Sequence, residues 1–248
     1  LALLKDGQPE IRAQAARILG DALGYKDASH DGLIALLSDP EPRVRVRAAE
    51  ALGRLGDKQA TRPILEMLVE NEDRDAIVRH SGVVALARIG DVAMLARMTG
   101  SRSKAARLAS LLALRRLAST EAAKYLGDPI PSIVTEAALA IYEAPIDAAL
   151  PKLAALEIKP EFKKNEPLLR RVIAANERVG GSSAASALAA IGLDPMVPDL
   201  IRVEAFEALG NWTGTTNRDR INGLYRPLKA RAAADAKSAV ASIVPALL

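Results

Sequence analysis

The stretch Asp39-Pro40-Glu41-Pro42-Arg43-Val44-Arg45-Val46-Arg47-Ala48-Ala49-Glu50-Ala51-Leu52-Gly53-Arg54-Leu55-Gly56-Asp57 decides how this chain folds. Asp39-Pro40 reads as a turn. Pro42 suits the first turn of a helix, where a missing N–H costs nothing. Val44, Ala48, Ala51, Leu52 and Leu55 then follow the period of an amphipathic helix. Gly56, just past the last apolar residue, is a natural helix stop.

The same design recurs along the chain. With Val44 as reference, the equivalent positions are Ile11, Val78, Ala106, Ile133, Leu168 and Ile201, with steps of 33, 34, 28, 27, 35 and 33 residues. In repeat 1 the apolar stripe is Ile11, Ala15, Ile18 and Leu19, ending at Gly20-Asp21. A shorter apolar helix precedes each of these, over roughly 1–5, 29–38, 58–70, 92–99, 119–126, 146–156 and 182–192. Periods of this size mean stacked helix pairs. The expected fold is all-α: a right-handed α-solenoid of about seven helix pairs over 1–211 with an irregular C-terminal cap over 212–248. In that cap, 218–228 reads as a short helix and 231–247 as a final one. Trp212 and Tyr225 are placed over the C-terminal core. No run of alternating β-branched residues predicts a strand.

Composition fits this reading. Half the residues are apolar but only 3% are aromatic, so alanine and leucine fill the core. Small side chains let stacked helices approach closely. The chain has no Cys, which excludes disulfides and thiol chemistry, and only two His, His30 and His80, which predict no metal site. His30 reads as a helix-start residue beside Asp31. No stretch of about 20 apolar residues predicts a membrane span. The apolar ends, Leu1-Ala2-Leu3-Leu4 and Ile243 to Leu248, read as those of a piece of a longer protein, with any targeting signal outside it.

The pattern Asp39-Pro40, Val44-Arg45, Ala48-Ala49, Ala51-Leu52-Gly53 and Leu55-Gly56-Asp57 resembles the HEAT-repeat family, and within it the bacterial PBS-lyase HEAT-like subtype, a group of armadillo-like helical proteins. The resemblance covers roughly 1–211 and implies a scaffold or binding platform. It also implies an Asp–Arg ladder that holds neighbouring repeats in register. Asp6/Arg12, Asp39/Arg45 and Asp73/Arg79 fit it at a spacing of six. Arg107 keeps only the Arg, Asp128 only the Asp, and Asp194/Arg202 is two residues longer. A fainter resemblance, at Trp212 and over 217–228, is to the HEAT segment of large exported bacterial proteins that join a dehydrogenase-like propeller to a c-type cytochrome domain. It would make the chain a periplasmic spacer; otherwise a cytoplasmic location is expected. The haem-binding Cys-x-x-Cys-His is absent from this chain.

The concave face is the expected binding surface. Helical spacing lines it with Arg43, Arg47, Glu50 and Arg54 in repeat 2, Arg88 in repeat 3 and Arg116 in repeat 4. Repeat 5 adds Glu136 and Glu143, repeat 6 Arg171 and Arg178, and repeat 7 Glu204 and Glu207. Residues 97–124 also hold seven cations, Arg97, Arg102, Lys104, Arg107, Arg115, Arg116 and Lys124, against Glu121 alone. Such a cluster suits an anion or acidic partner. The alternating sign along the face argues against nucleic acid, whose phosphates want an unbroken basic stripe. No nucleophile–base set, phosphate loop or metal motif stands out, so no catalytic residue, cofactor or small-molecule substrate is assigned. The expected function is non-catalytic: binding a protein partner or neighbouring domains of the same polypeptide. The alternatives are a nucleic-acid-binding solenoid of the DNA-glycosylase kind, disfavoured by scattered aromatics such as Tyr25, Tyr125 and Phe162, and a phycobilin lyase-type enzyme suggested by the repeat subtype alone.

Overall fold

A computed structural model describes residues 1–21 and 26–247. Tyr25 and Leu248 lie outside the described residues. Among the described residues the chain is all-α, built of helix pairs. It forms two compact units, 1–121 and 122–248.

In unit 1 the second helices of the pairs are α1 (Pro9–Asp21), α3 (Pro42–Leu55), α5 (Ala76–Ile89) and α7 (Lys104–Arg116). The first helices are a 3-10 turn (Ala2–Lys5), α2 (Lys26–Ala35), α4 (Thr61–Asn71) and α6 (Val92–Arg97). Helix α3 begins and ends as its sequence predicts: Pro42 lies in its first turn, and Gly56 closes it at φ 63°. Gly90 closes α5 in the same way at φ 69°.

Consecutive second helices pack side by side, α1 on α3, α3 on α5 and α5 on α7. Gly20 and Gly53 set how closely. A Cβ on Gly20 would stand 2.6 Å from the Ala51 Cα, and one on Gly53 2.7 Å from the Ala85 Cα. Both glycines sit nine residues after the repeat reference, against an alanine seven after the next one. Gly20 is therefore not the stop its sequence suggests, since α1 continues through it to Asp21. Ile11 and Ile18 share the positions of Val44 and Ala51 but are exposed, since among the described residues α3 is the second helix that packs on α1 and it leaves that side uncovered.

Unit 2 holds α8 (Pro131–Glu143), α10 (Glu166–Val179) and α12 (Asp199–Gly210) as second helices. Its first helices are the 3-10 segment Thr120–Gly127, which the division between the units crosses, α9 (Leu150–Ala154) and α11 (Ser182–Leu193). The last helix, α13 (Ala233–Leu247), packs on α11 and α12. The stretch 218–228 is not helical. Its backbone folds on itself: Arg226 N–H donates to the Asn217 carbonyl at 2.9 Å, Leu228 N–H to Thr216 at 3.1 Å and Asp219 N–H to Leu224 at 2.8 Å. An isolated β-bridge joins Arg218 and Tyr225, with Gly223 at φ 70° in the bend. No described helix is long and apolar enough to cross a membrane.

Candidate binding face

The ladder residues build the corner between the two helices of a pair. Asp6, Asp39, Asp128 and Asp194 each accept the N–H two residues ahead, at 2.8, 3.0, 2.8 and 2.9 Å. Each carboxylate thus starts the turn toward the next helix. The arginine six residues on reaches back. Arg12 donates to the Asp6 carbonyl at 2.8 Å, Arg45 to that of Asp39 at 2.7 Å and Arg107 to that of Ser101 at 2.7 Å. These carbonyls close the first helices and would otherwise lack partners. Arg202 donates to the Gly192 carbonyl at 2.9 Å.

Between repeats, Arg12 holds the Asp39 carboxylate with two hydrogen bonds, of 2.7 and 2.9 Å. Burial, the largest influence on Asp39, raises its pKa, yet the Arg12 bonds and the Glu41 amide hold it below the usual carboxylate range. Arg45 does not make the same reach to Asp73. In repeat 3 Asp73 stands at φ 65° and pairs with Arg79 at 2.7 Å, while Asp75 takes over the cap of α5. Lys163 supplies the cation for Asp194 at 2.8 Å. One further link joins repeats. His30 lies inside α2 rather than at a helix start, and its Nδ1 meets the Asp57 carboxylate. His80 is exposed, and among the described residues no group of three His, Asp or Glu could hold a metal.

Several predicted face residues are neutralised in place. In unit 1 Arg43 meets Glu10 at 3.1 Å, Arg47 meets Glu50 at 2.8 Å, and Arg54 stands 3.3 Å from Asp21 and 3.6 Å from Glu50. In unit 2 Arg171 pairs with Glu143 at 2.6 Å. Beside the unit 1 pairs lies an open groove of about 510 Å³ lined by Pro42, Arg43, Val46, Arg47, Glu50, Asp75 and Ile77. Ile77 is 68% exposed there, an apolar side chain held up by the first turn of α5.

The cations of 97–124 stand in different settings. Arg107 is buried in its corner role, and Lys124 belongs to unit 2. Arg102 and Lys104 flank a shallow hollow with Val69, Glu72 and Asp73, so acids face them. Arg88 and Arg116, at the ends of α5 and α7, are exposed and have no hydrogen bond or ion pair among the described residues.

In unit 2 the segment 212–232 forms a strap across the ends of α8 and α10. Its anchor is Asp219, whose side chain is fully buried. Asp219 accepts from Tyr142 Oη at 2.7 Å, from Arg178 Nη2 at 2.7 Å and from the Ile221 and Asn222 amides at 2.8 and 3.3 Å. Burial, the largest influence, raises the Asp219 pKa, but these donors together hold it below the ordinary range. Arg178 also donates to the Arg226 carbonyl at 2.9 Å, and Arg226 to the Tyr142 carbonyl at 3.1 Å. The Arg226 guanidinium lies 5.1 Å from the centre of the Tyr142 ring.

Farther along the strap, Arg231 lies over buried Trp212, 4.9 Å from its ring centre, and donates to the Glu177 carbonyl at 2.9 Å. Arg178, expected on an open face, is therefore a buried anchor. Trp212 covers the core as expected, whereas Tyr225 is 78% exposed at the strap's tip. Sequence reading missed Asp219 and Tyr142 as partners because they lie 77 residues apart.

The HEAT repeats family model matches residues 1–87. No curated protein matches the sequence. Among solved structures, the chain is similar to human deoxyhypusine hydroxylase in complex with glycerol at 22% identity, covering 84% of this chain and 81% of that one, TM-score 0.36. It is similar to the phycocyanin lyase complex of a Nostoc species at 22% identity, covering 98% and 92%, TM-score 0.39. An engineered protein is similar at 21% identity, covering 86% and 67%, TM-score 0.40. The HEAT-repeat resemblance drawn from the sequence is shown over residues 1–87.

Proposed function

We propose that this chain is a non-catalytic protein-binding module whose recognition surface is the second-helix face of unit 1. One observation carries the reading: an apolar side chain, Ile77, stands exposed over a groove whose charges are already paired in rows. Such a surface, an apolar centre with a polar rim, is what protein segments bind. Paired charges do not offer the unbroken positive field that duplex DNA needs. The resemblance of the strap sequence to HEAT segments of exported multidomain proteins supports a place within a larger polypeptide.

The test is selection of peptides from a displayed random library on the whole chain. Affinities of the selected peptides are then measured for wild type, Ile77→Asp and Leu200→Asp, the last also an exposed apolar residue but in unit 2. Ile77→Asp is expected to weaken them at least tenfold and Leu200→Asp to leave them unchanged. Peptides indifferent to Ile77→Asp, or a library that yields none, refute the proposal.

A further inference from the structure

Counting from each repeat's reference residue, the tenth position of the second helix carries Arg54 in α3, Arg88 in α5, Arg116 in α7 and Arg178 in α10. Only the last is fully engaged, and its carboxylate comes from outside the repeat. The strap lays Asp219 on Arg178 at 2.7 Å and lets the same guanidinium donate to the Arg226 carbonyl. Unit 2 thus shows how this register recognises a passing chain: a charge-assisted bond to a carboxylate, backed by a backbone acceptor.

In unit 1 the same position forms a row on three adjacent helices. Arg54 has acids nearby, whereas Arg88 and Arg116 have no partner among the described residues. We infer that Arg88 and Arg116, on adjacent second helices, take an extended acidic segment of a partner protein, with carboxylates at every third residue. This rests on the proposed second-helix binding face and specifies its partner.

The spacing follows from packing. Adjacent packed helices lie about 8–10 Å apart, and α5 packs on α7. A polyproline II chain rises about 3.1 Å per residue with three residues per turn, so every third side chain lies on one face about 9 Å from the last. A β-strand rises about 3.3 Å and repeats its face at every second residue, so its steps of about 7 or 13 Å match that spacing less closely. A nucleic-acid duplex is disfavoured because the row offers few arginines, against the roughly six to ten phosphate contacts of proteins that hold duplex well.

Three labelled peptides test this by fluorescence anisotropy at about 150 mM salt. One has Asp at every third position with proline between. The second has the same composition with the Asp residues in one block, and the third has Asn for Asp. The spaced peptide is expected to bind wild type at least tenfold more tightly than the other two. Arg88→Gln/Arg116→Gln is expected to lose that preference, and Arg62→Gln/Arg97→Gln to keep it. Equal binding of the spaced and blocked peptides, retention by the first double variant, or equal competition from duplex DNA overturns the inference. If library-selected peptides bind and depend on Ile77 while no acidic peptide binds, the partner chemistry is wrong and the face assignment stands.

Discussion

Replacing Asp219 by Ala should detach the strap from unit 2. The carboxylate has no solvent exposure and collects four hydrogen bonds, two of them from Tyr142 and Arg178. Its removal leaves the Arg178 guanidinium, 9% exposed, without a counter-charge and the Tyr142 hydroxyl without an acceptor. Breaking a buried pair in this way costs roughly 3–5 kcal/mol. With a urea slope of roughly 2–3 kcal/mol per molar, the unfolding midpoint of unit 2 falls by about 1–2 M. The readout is urea unfolding followed by Trp212 fluorescence, together with hydrogen exchange of amides 216–228. The double variant Arg178→Met/Asp219→Leu should recover part of the loss, because it removes the buried guanidinium left without a counter-charge. A stability within about 0.5 kcal/mol of wild type, the range of an ordinary surface substitution, with unchanged exchange at 216–228, would refute the anchor role.

The remaining predictions concern packing, backbone, ladder and pH. Gly53→Ala should cost roughly 1–3 kcal/mol by urea unfolding, since the new methyl meets the Ala85 backbone, whereas Gly7→Ala has open space and should cost far less. Ala118→Gly should stabilise by up to about 1 kcal/mol in thermal unfolding, because φ 47° there strains any residue with a Cβ. Arg12→Ala should lower the denaturant midpoint more than Arg43→Ala; Arg12 grips a buried carboxylate, and the Arg43–Glu10 pair is largely exposed. The carboxyls of Asp39, Asp194 and Asp219 all titrate below their ordinary value. A depressed folded-state pKa adds stability above the unfolded value of about 3.9 and loses it as pH falls through the folded value. Stability should therefore drop below about pH 4, and Asp219→Asn should flatten that drop.

The repeat period made most of the fold legible. Pro42, the Val44 stripe and Gly56 fix α3 within its own sequence, and sliding that pattern located the other second helices. What escaped depends on contacts distant in the chain. Gly20 after an apolar run reads locally as a stop, but its use is to admit Ala51 from the next repeat. Residues 218–228 carry a helix-like mixture of charged and apolar side chains. Their conformation is instead set by Asp219 reaching Arg178, 41 residues away. Arg178 has the spacing of a surface residue, and only the strap makes it interior. Of the candidate face, Arg88 and Arg116 were legible as a row, and Arg47–Glu50 is an i,i+3 pair within α3; that Arg43 and Arg54 would meet Glu10 and Asp21 depends on how the helices stack.

The most direct test of the binding-face account is a hydrogen-exchange footprint of the whole chain with and without a bound library-selected peptide. The account predicts new protection in α3, α5 and α7, with α2, α4 and the strap unchanged. Protection confined to the first helices or to unit 2, or none at saturating peptide, would contradict it.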